Sequence, residues 1–174
     1  MTAPLTHAPR LTTDRLTLRG PDRADLPHFE RFITTSPDLA AQDELGDAED
    51  AWYFNLAGIG HWHWHGYGLF TLQTHDDPTP LGRVGSLNHP GWPQPELAWH
   101  LFADGTGHGY ATEAAQAVRQ WAATALGLTA LVSYIDPANT RSQAVATRLG
   151  AQTDGTLARQ DGASQVWQHP TVAP

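Results

Sequence analysis

A glycine-rich segment ahead of the longest helical pattern restricts the fold of this chain more than any other feature. Residues 105–109 contain three glycines that alternate with a threonine and a histidine, and the apolar helical pattern of residues 112–126 follows. Glycine allows backbone angles that turn several N–H groups to one side, and a helix start adds N–H groups without intrahelical partners. Since a strand pattern at residues 96–102 comes first, the sequence predicts a strand–loop–helix unit whose loop can hold an anion.

The composition excludes several kinds of chemistry. The 174 residues include no cysteine, and all ten basic residues are arginine. The chain therefore has no disulfide, no thiolate nucleophile or metal ligand, no Schiff-base lysine and no phosphate-binding lysine. Backbone amides must then supply most of any phosphate binding at the loop. The formal charge of −8 repels phosphate backbones, so we expect no nucleic-acid partner.

The length fits a single domain, which we assign to residues 11–169, with proline-containing tails at residues 1–10 and 170–174. No segment approaches the about 20 apolar residues that a bilayer crossing needs, so we expect no membrane partner. Because disulfides and a targeting segment are absent from the sequence, we expect a cytoplasmic location.

Hydrophobic periodicity predicts strands and helices that alternate around one sheet. The predicted strands are residues 13–19, 68–73, 81–87, 96–102, 131–135, 152–157 and 163–168. The predicted helices are residues 21–33, 47–57, 112–126 and 139–149. The fold class is therefore α/β or α+β, with a mixed central sheet of about seven strands and helices on both faces.

The position of the glycine-rich loop argues against a dinucleotide-binding fold. In that fold the loop follows the first strand, and a ribose-binding acid lies about 20 residues later. Here the loop lies past the middle of the chain. About 20 residues after it, where the ribose-binding acid would be, there is only the strand pattern of residues 131–135.

Two sequence blocks flank the helix that follows the loop. Residues 106–114 are Thr-Gly-His-Gly-Tyr-Ala-Thr-Glu-Ala, and residues 136–150 contain Pro-x-Asn-x-x-Ser and end in Leu-Gly. With residues 11–19, Asp25, 82–85 and 96–101, these blocks resemble the GNAT superfamily of acyl-CoA-dependent N-acetyltransferases, in particular its ribosomal-protein N-terminal acetyltransferase branch. Threonine stands where the family's Gln/Arg-x-x-Gly-x-Gly/Ala loop begins.

The resemblance implies the GNAT fold, with the sheet splayed between its fourth and fifth strands. It implies acetyl-CoA as co-substrate, no metal, and a primary amine as acceptor, on a small molecule or a peptide N-terminus. The loop would wrap the pyrophosphate of the coenzyme, and a backbone N–H near the end of the fourth strand would stabilise the oxyanion. Asn139 would form a hydrogen bond with the pantetheine part of the coenzyme, and this role is compatible with capping its helix. The implied cofactor-binding residues are Leu101, Phe102, Thr106, Gly107, His108, Gly109, Tyr110, Ala111, Thr112 and Asn139.

The available side chains restrict the catalytic mechanism. Without cysteine no acetyl-cysteine can form, so we expect direct attack by the amine in a ternary complex. Many family members carry a tyrosine seven residues after the motif's asparagine as general acid, but that position here is Ala146. Ser142 is the nearest hydroxyl, and it is either the proton donor to the leaving sulfur or a helix-surface serine without a role.

Two residues on one predicted strand are candidates for the general base. Glu96 and His100 lie on the same strand face because side chains alternate. Either side chain could accept the proton of the amine, directly or through water, and we favour Glu96. The alternatives without function are a strand-edge carboxylate and a half-buried histidine.

The histidine-rich segment of residues 61–68 could indicate a metal site or part of a substrate pocket. Its three histidines share a face only in an extended chain, and further ligands for zinc are not evident, so we expect no metal there. From the resemblance, His61, His65 and Tyr67 would line the pocket for the amine. Trp62 and Trp64 are more simply explained as core tryptophans.

Three functional classes follow from these observations. The first is an acetyl-CoA-dependent N-acetyltransferase. The second is a catalytically silent acyl-CoA-binding or sensor domain, which the missing tyrosine permits. The third and weakest is a metal hydrolase built on the histidine tract. The sequence allows a monomer or a homodimer, in which exposed tryptophans such as Trp92 or Trp167 could form the interface.

Overall fold

The computed structural model describes residues 6–41, 44–158 and 162–173, so part of each predicted tail (residues 1–5 and 174) lies outside the described residues. The strands are β1 Leu11–Thr12, β2 Leu16–Arg19, β3 Leu69–Thr74, β4 Gly82–Leu87, β5 Glu96–Leu101, β6 Val132–Ile135 and β7 Gln165–Gln168. The helices are α1 Leu26–Thr35, α2 Pro37–Ala41, α3 Ala48–His65, α4 Tyr110–Leu126 and α5 Thr140–Arg148, with 3-10 turns at Arg23–Asp25 and Ala103–Gly105.

The seven strands form one sheet in the order β1 to β7, which confirms the mixed α/β architecture. All neighbouring strands are antiparallel except β5 and β6, which are parallel and share a single register pair, Glu96 with Val132. The sheet therefore opens between these two strands. They are the fourth and fifth when counting starts at β2, which is the first strand that the sequence predicted, so the splay lies where it was expected.

Each face of the sheet packs against its own helices because side chains alternate along the strands. On one face the main core contains small and branched residues of α4, such as Val118, packed against four strand residues, Leu18, Leu72, Val84 and Leu97. On the other face, the phenylalanines of α1 and of the β5 end form a second core with Ala51 of α3. The splayed end of β5 thus lies between the two layers of helices.

The helix α3 is longer than predicted and includes the histidine tract. Its start is as expected, since Asp47 caps the helix and exchanges hydrogen bonds with Asp50 in a capping box. The predicted end near residue 57 is wrong, because no proline interrupts residues 58–65 and the helix ends only at Gly66, whose φ of 76° is left-handed. The expectation that Trp64 is a core residue is also wrong, since it is 86% exposed, whereas Trp62 is buried.

The predicted strand at residues 152–157 is also wrong. Two isolated bridges, Gln152 with Gln168 and Leu157 with Gln165, are its only pairings in the described part of the chain. Between the bridges, Asp154 accepts hydrogen bonds from Thr156, and Gly155 adopts a φ of 84°. This turn interrupts the ladder, and the seventh strand of the sheet is instead β1, which precedes the first predicted strand and pairs antiparallel with β2.

A buried ion pair fixes the start of α1 on the sheet. Asp25 is almost fully buried, and its two carboxylate oxygens accept hydrogen bonds from Arg19 at 2.9 and 2.7 Å. The hydroxyl of Thr71 and the backbone N–H of Asp22 donate to the same carboxylate at 2.8 Å each. Burial alone raises the pKa of Asp25, but the hydrogen bonds and the charge of Arg19 outweigh it and hold the pKa below its usual value.

Within the described ranges, no helix combines the length and the apolar character that a membrane crossing requires.

We expect Asp25→Asn to lower the free energy of unfolding by about 3 kcal/mol at pH 7, because Arg19 loses its buried partner. Because the folded-state pKa lies below the unfolded one, the ionised carboxylate stabilises the fold above about pH 4, and this stabilisation is lost at lower pH. Urea unfolding at pH 7 and pH 3 measures both effects. The exposed Asp76→Asn variant is the control, and an Asp25→Asn variant as stable as Asp76→Asn at pH 7 would contradict the assignment.

Candidate active site

A cleft of about 750 Å³ opens beside the splayed strands. Its walls are the end of β5, the glycine-rich loop, the first turn of α4, one face of α5, and Phe32 and Leu39 from the α1–α2 region. The predicted site residues that line it are His100, Leu101, Thr106, Gly107, His108, Gly109, Tyr110, Ala111, Thr112, Asn139 and Ser142. The structure thus brings together residues separated by up to 42 positions in the sequence.

The glycine-rich loop has the backbone conformation that the sequence predicted for an anion cradle. Gly107 and Gly109 have φ values of 81° and 78°, in the left-handed region that favours glycine. Gly109 is the N-cap of α4 and leaves the first-turn N–H groups of Tyr110 to Thr112 without intrahelical acceptors. The hydroxyl of Thr112 is buried at the cleft and has no hydrogen-bond partner among the described residues. These donors fit a phosphate group.

Arg15 and Glu113 brace the glycine-rich loop from outside the cleft. The two side chains form an ion pair at 2.6 Å, and Arg15 also donates to the carbonyl of His108 at 3.0 Å and lies over the ring of Tyr110. The hydroxyl of Thr13 donates to Glu113 at 2.6 Å. Sequence reasoning missed this bracing, because its partners are about 100 residues apart.

Two arginines of α5, Arg141 and Arg148, line the cleft and were not predicted. They are seven residues apart, which is two helical turns, so they lie on one helix face. The spacing was visible in the predicted helix and is the signal that could have found them. Among the described residues that line the cleft there is no carboxylate, so this part of an otherwise acidic protein is suited to a negatively charged ligand.

Side chains replace the backbone ladder where β5 and β6 separate. The hydroxyl of Ser133 donates to the carbonyl of Leu97, and the backbone N–H of Tyr134 donates to the carboxylate of Glu96. Burial raises the pKa of Glu96 to about 7, although the hydrogen bond from Tyr134 acts in the opposite direction. Glu96 lies at the closed end of the splay and is not among the residues that line the main cleft.

His100 shares a strand face with Glu96, as predicted, and lines the cleft. Its Nδ1 is buried and has no partner within the described part of the molecule. Burial, and then the charge of Arg83 directly opposite on β4, lower the pKa of His100 to about 4. The imidazole is therefore neutral at pH 7 and a weak base.

Ser142 and Asn139 lie at the start of α5, against the cleft. The side chain of Asn139 accepts from the backbone N–H of Ser142 at 3.0 Å and so caps the helix. The indole N–H of Trp99 donates to the Ser142 hydroxyl at 3.2 Å. Because that bond uses a lone pair of the oxygen, the hydroxyl proton of Ser142 remains available for donation.

Phe102 is not placed to bind a ligand, contrary to the expectation from the sequence. Its ring packs against Phe29 and Phe32, and its N–H donates to the carbonyl of Leu81 at 2.9 Å, on the β4 side. Since N–H groups alternate in direction along a strand, those of Leu101 and Trp99 point to the opposite side, into the splay. Leu101 therefore keeps its predicted place, and Trp99 joins it.

Comparison with known proteins identifies the family. The family model described as the acetyltransferase (GNAT) domain matches residues 15–152. The chain belongs to the GNAT acetyltransferase family. This GNAT protein is an enzyme, an acetyl-CoA-dependent N-acetyltransferase, as the resemblance implied.

Solved structures agree with this assignment. An acetyltransferase from Agrobacterium tumefaciens str. C58 has a TM-score of 0.84 and 35% identity, covering 92% of this chain and 94% of that one. A GnaT-family acetyltransferase from Bordetella pertussis has a TM-score of 0.76 and 27% identity, covering 94% and 99%. RimL, a ribosomal-protein α-N-acetyltransferase in complex with coenzyme A, has a TM-score of 0.66 at 17% identity, covering 92% and 96%, and shares the fold.

The histidine tract of this GNAT enzyme lies away from the cleft. His61, His65 and Tyr67 cluster at the end of α3, with the two imidazole centroids 4.4 Å apart, but none of the three lines the cleft, contrary to the expectation of a substrate pocket. His61 accepts from the N–H of Asn88 at Nε2 and donates from Nδ1 to the carbonyl of Tyr67, so both of its nitrogens are used. Within the described ranges, no group of three or more histidine, aspartate or glutamate side chains is arranged to hold a metal.

We expect Glu113→Ala to weaken acetyl-CoA binding about three- to tenfold, which corresponds to about 0.7–1.4 kcal/mol. The modest size follows from the exposure of Arg15, whose side chain is half exposed. Isothermal titration calorimetry measures the affinity, with the exposed Glu44→Ala variant as control. An unchanged dissociation constant in Glu113→Ala would contradict a role for this bracing in holding the loop.

Proposed function

We propose that this enzyme transfers the acetyl group of acetyl-CoA to a primary amine by direct attack in a ternary complex, with Glu96 as the general base. The observation that supports it is the position of Glu96. This carboxylate, with a pKa of about 7, lies at the closed end of a splay whose open end meets a cleft rich in N–H donors and arginine. A general base is most effective when its pKa is close to the working pH.

The residues around the loop would hold the co-substrate without any lysine. The N–H groups of the loop and of the first turn of α4, the hydroxyl of Thr112 and the side chains of Arg141 and Arg148 would bind its phosphates. The side chain of Asn139 and the free strand edge of β5 would face the pantetheine arm. The proposal also includes the contacts with acetyl-CoA that the sequence predicted for the loop residues Thr106, Gly107, His108, Gly109, Tyr110 and Ala111.

The backbone of β5 would stabilise the negative charge that develops on the acetyl oxygen. The N–H groups of Leu101 and Trp99 point into the splay, where the ladder to β6 has ended. Donors that are fixed by a strand need no reorganisation when the charge develops, which is the condition for effective oxyanion stabilisation.

Direct attack balances without a covalent enzyme intermediate. The nitrogen of the neutral amine forms a bond to the acetyl carbon, the carbon–sulfur bond breaks, and Glu96 takes up the proton that the nitrogen loses. The Ser142 hydroxyl would give a proton to the departing sulfur and regain one from solvent, to which Glu96 in turn releases the proton that it took up. Since the chain contains no cysteine, a thioester intermediate on the enzyme is excluded, and any acetylated enzyme intermediate found by mass spectrometry would contradict direct attack.

The acceptor would enter from the side of α1 and α2. Phe32 and Leu39 form the cleft wall there, next to His100, whose ring centroid is 6.0 Å from that of Phe32. This wall would accept either a small-molecule amine or a peptide N-terminus. The amine must reach Glu96 along the face of β5 on which His100 also lies.

We expect Glu96→Gln to lower kcat at least about 100-fold at pH 7, because the amide cannot accept the proton. In the wild type, kcat rises with pH through about 7 as Glu96 loses its proton, and the variant lacks this rise. A thiol reagent follows the release of coenzyme A with a panel of amines and peptides, and the protein contributes no thiol of its own.

Two controls complete this experiment. The exposed Glu44→Gln variant tests for a general effect of charge, and acetyl-CoA binding by Glu96→Gln tests the fold of the site. A Glu96→Gln enzyme with wild-type kcat and pH profile would exclude Glu96 as the base. Binding of acetyl-CoA without thiol release from any amine would instead favour the silent acyl-CoA-binding domain.

We expect Ser142→Ala to lower kcat about tenfold at saturating acetyl-CoA, with little change in KM, because the hydroxyl acts on the departing sulfur and not on binding. Thr147→Ala on the exposed side of the same helix is the matched control. A rise in KM with unchanged kcat would show that Ser142 binds the co-substrate without acting as the acid.

A further inference from the structure

The outward face of α3 is apolar although it faces solvent. The buried residues of this helix, Ala51, Asn55 and Trp62, lie on one side. On the opposite side Tyr53 is 57% exposed and Trp64 is 86% exposed. Helices at the surface of soluble proteins normally present charged or polar side chains on the outward side. This side of α3 therefore has the composition of a covered surface.

Charged side chains are missing from this part of the sequence. Residues 52–64 contain no aspartate, glutamate or arginine, in a chain with 28 such residues and a formal charge of −8. Two copies with this net charge repel each other over most of their surfaces. They can approach closely where the surface is neutral, and the outward face of α3 is such a surface.

The apolar side chains on this face have a symmetric arrangement. Tyr53, Ala57, Gly60 and Trp64 follow one another at spacings of four, three and four residues, so they form one stripe along the helix. Their sizes are large, small, small and large. The order of sizes is the same from either end, so in a two-fold antiparallel pair large side chains meet large ones at the ends and small ones meet at the centre.

We propose that two copies of this chain associate through α3, packed antiparallel about a two-fold axis that passes between Ala57 and Gly60. In this arrangement Tyr53 of each copy meets Trp64 of the other, and the small residues at the centre let the two helices approach closely. Aromatic pairs at the two ends enclose the small residues between them.

The charges at the helix ends agree with the antiparallel arrangement. The first turn of α3 contains Glu49 and Asp50, whereas the last turn contains no acidic residue. Antiparallel packing places the acidic first turn of one copy near the last turn of the other and also aligns the two helix dipoles favourably. A parallel arrangement would bring the two acidic turns together.

The apolar area is sufficient for a dimer. A fully buried aromatic side chain covers about 150–250 Å². The exposed parts of the side chains of Trp64, Tyr53, Trp52 and Leu56 together amount to roughly 500 Å² in each copy. A dimer that covers them would therefore bury roughly 1,000 Å² in total. This is about the area at which an interface becomes specific.

The experiment measures the mass in solution of the full chain and of charge variants by sedimentation equilibrium at micromolar concentrations. We expect a dimer for the wild type and monomers for Tyr53→Glu and Trp64→Lys. The double variant Tyr53→Glu/Trp64→Lys places opposite charges across an antiparallel interface, so we expect it to dimerise more strongly than either single variant. Thermal unfolding by circular dichroism shows whether each variant is folded.

Two results would overturn the dimer through α3, and a third would overturn its antiparallel arrangement. One is a monomeric wild type over this concentration range. The other is a wild-type dimer that both single variants retain, which would place the interface on another surface. A double variant no stronger than the singles would overturn the antiparallel pairing.

Cross-linking gives a second measurement with a matched control on the same helix. Gly58 and Gly60 both have open space where a Cβ would lie, so cysteine fits at either position without a change of packing. Gly60 lies on the outward stripe, whereas Gly58 is partly buried on the inner side. Because the chain has no other cysteine, a short bismaleimide can join only two copies. We expect cross-linked dimers from Gly60→Cys and not from Gly58→Cys, and equal yields would contradict the proposed face.

Discussion

The site depends on how little of β5 is paired with β6. One register pair, Glu96 with Val132, joins the two parallel strands, and side chains then take over the hydrogen bonds of the ladder. Ser133 bonds the carbonyl of Leu97, and the N–H of Tyr134 bonds the carboxylate of Glu96. Buried backbone groups that lose a partner usually destabilise a fold, but at the closed end of the splay the carbonyl of Leu97 keeps a partner in Ser133. The separation can therefore persist as a stable feature, and it leaves the outer edge of β5 open to a ligand.

The placement of charge follows from the same architecture. The protein is acidic overall, yet the cleft is lined by Arg141 and Arg148 and by the N-terminal end of α4. Helix dipoles and backbone N–H groups add partial positive charge without requiring any charged side chain. A chain without lysine can thus suit a phosphate-bearing co-substrate, because Gly107 and Gly109, in left-handed conformations, and the first turn of α4 all line the cleft. Negative charge elsewhere on the surface does not oppose this local attraction, since solvent screens it over about 10 Å.

Local patterns in the sequence predicted the sheet, the loop and the shared strand face of Glu96 and His100, because each depends on periodicity or on glycine over a few residues. Contacts between distant segments were not predictable in this way. The bond from Phe102 to Leu81 removes the N–H of Phe102 from the predicted set of free donors on β5, and it depends on the position of a neighbouring strand. The bracing by Arg15 depends on a helix about 100 residues away. The end of α3 was missed for a different reason, since its outward face lacks the polar residues that mark the exposed side of a helix.

The structure also distinguishes the two candidate bases, Glu96 and His100, by their pKa values. Both lie on one face of β5 and both are largely shielded from water, but burial acts on them in opposite directions because it favours the neutral form of each. The pKa of the Glu96 carboxyl rises to about 7, whereas the pKa of His100 falls to about 4, helped by the positive charge of Arg83 across the ladder. At neutral pH His100 holds a proton too weakly to withdraw one from an amine, while Glu96 can accept one and release it again. In the proposed mechanism the proton transfer is therefore assigned to Glu96 and not to His100.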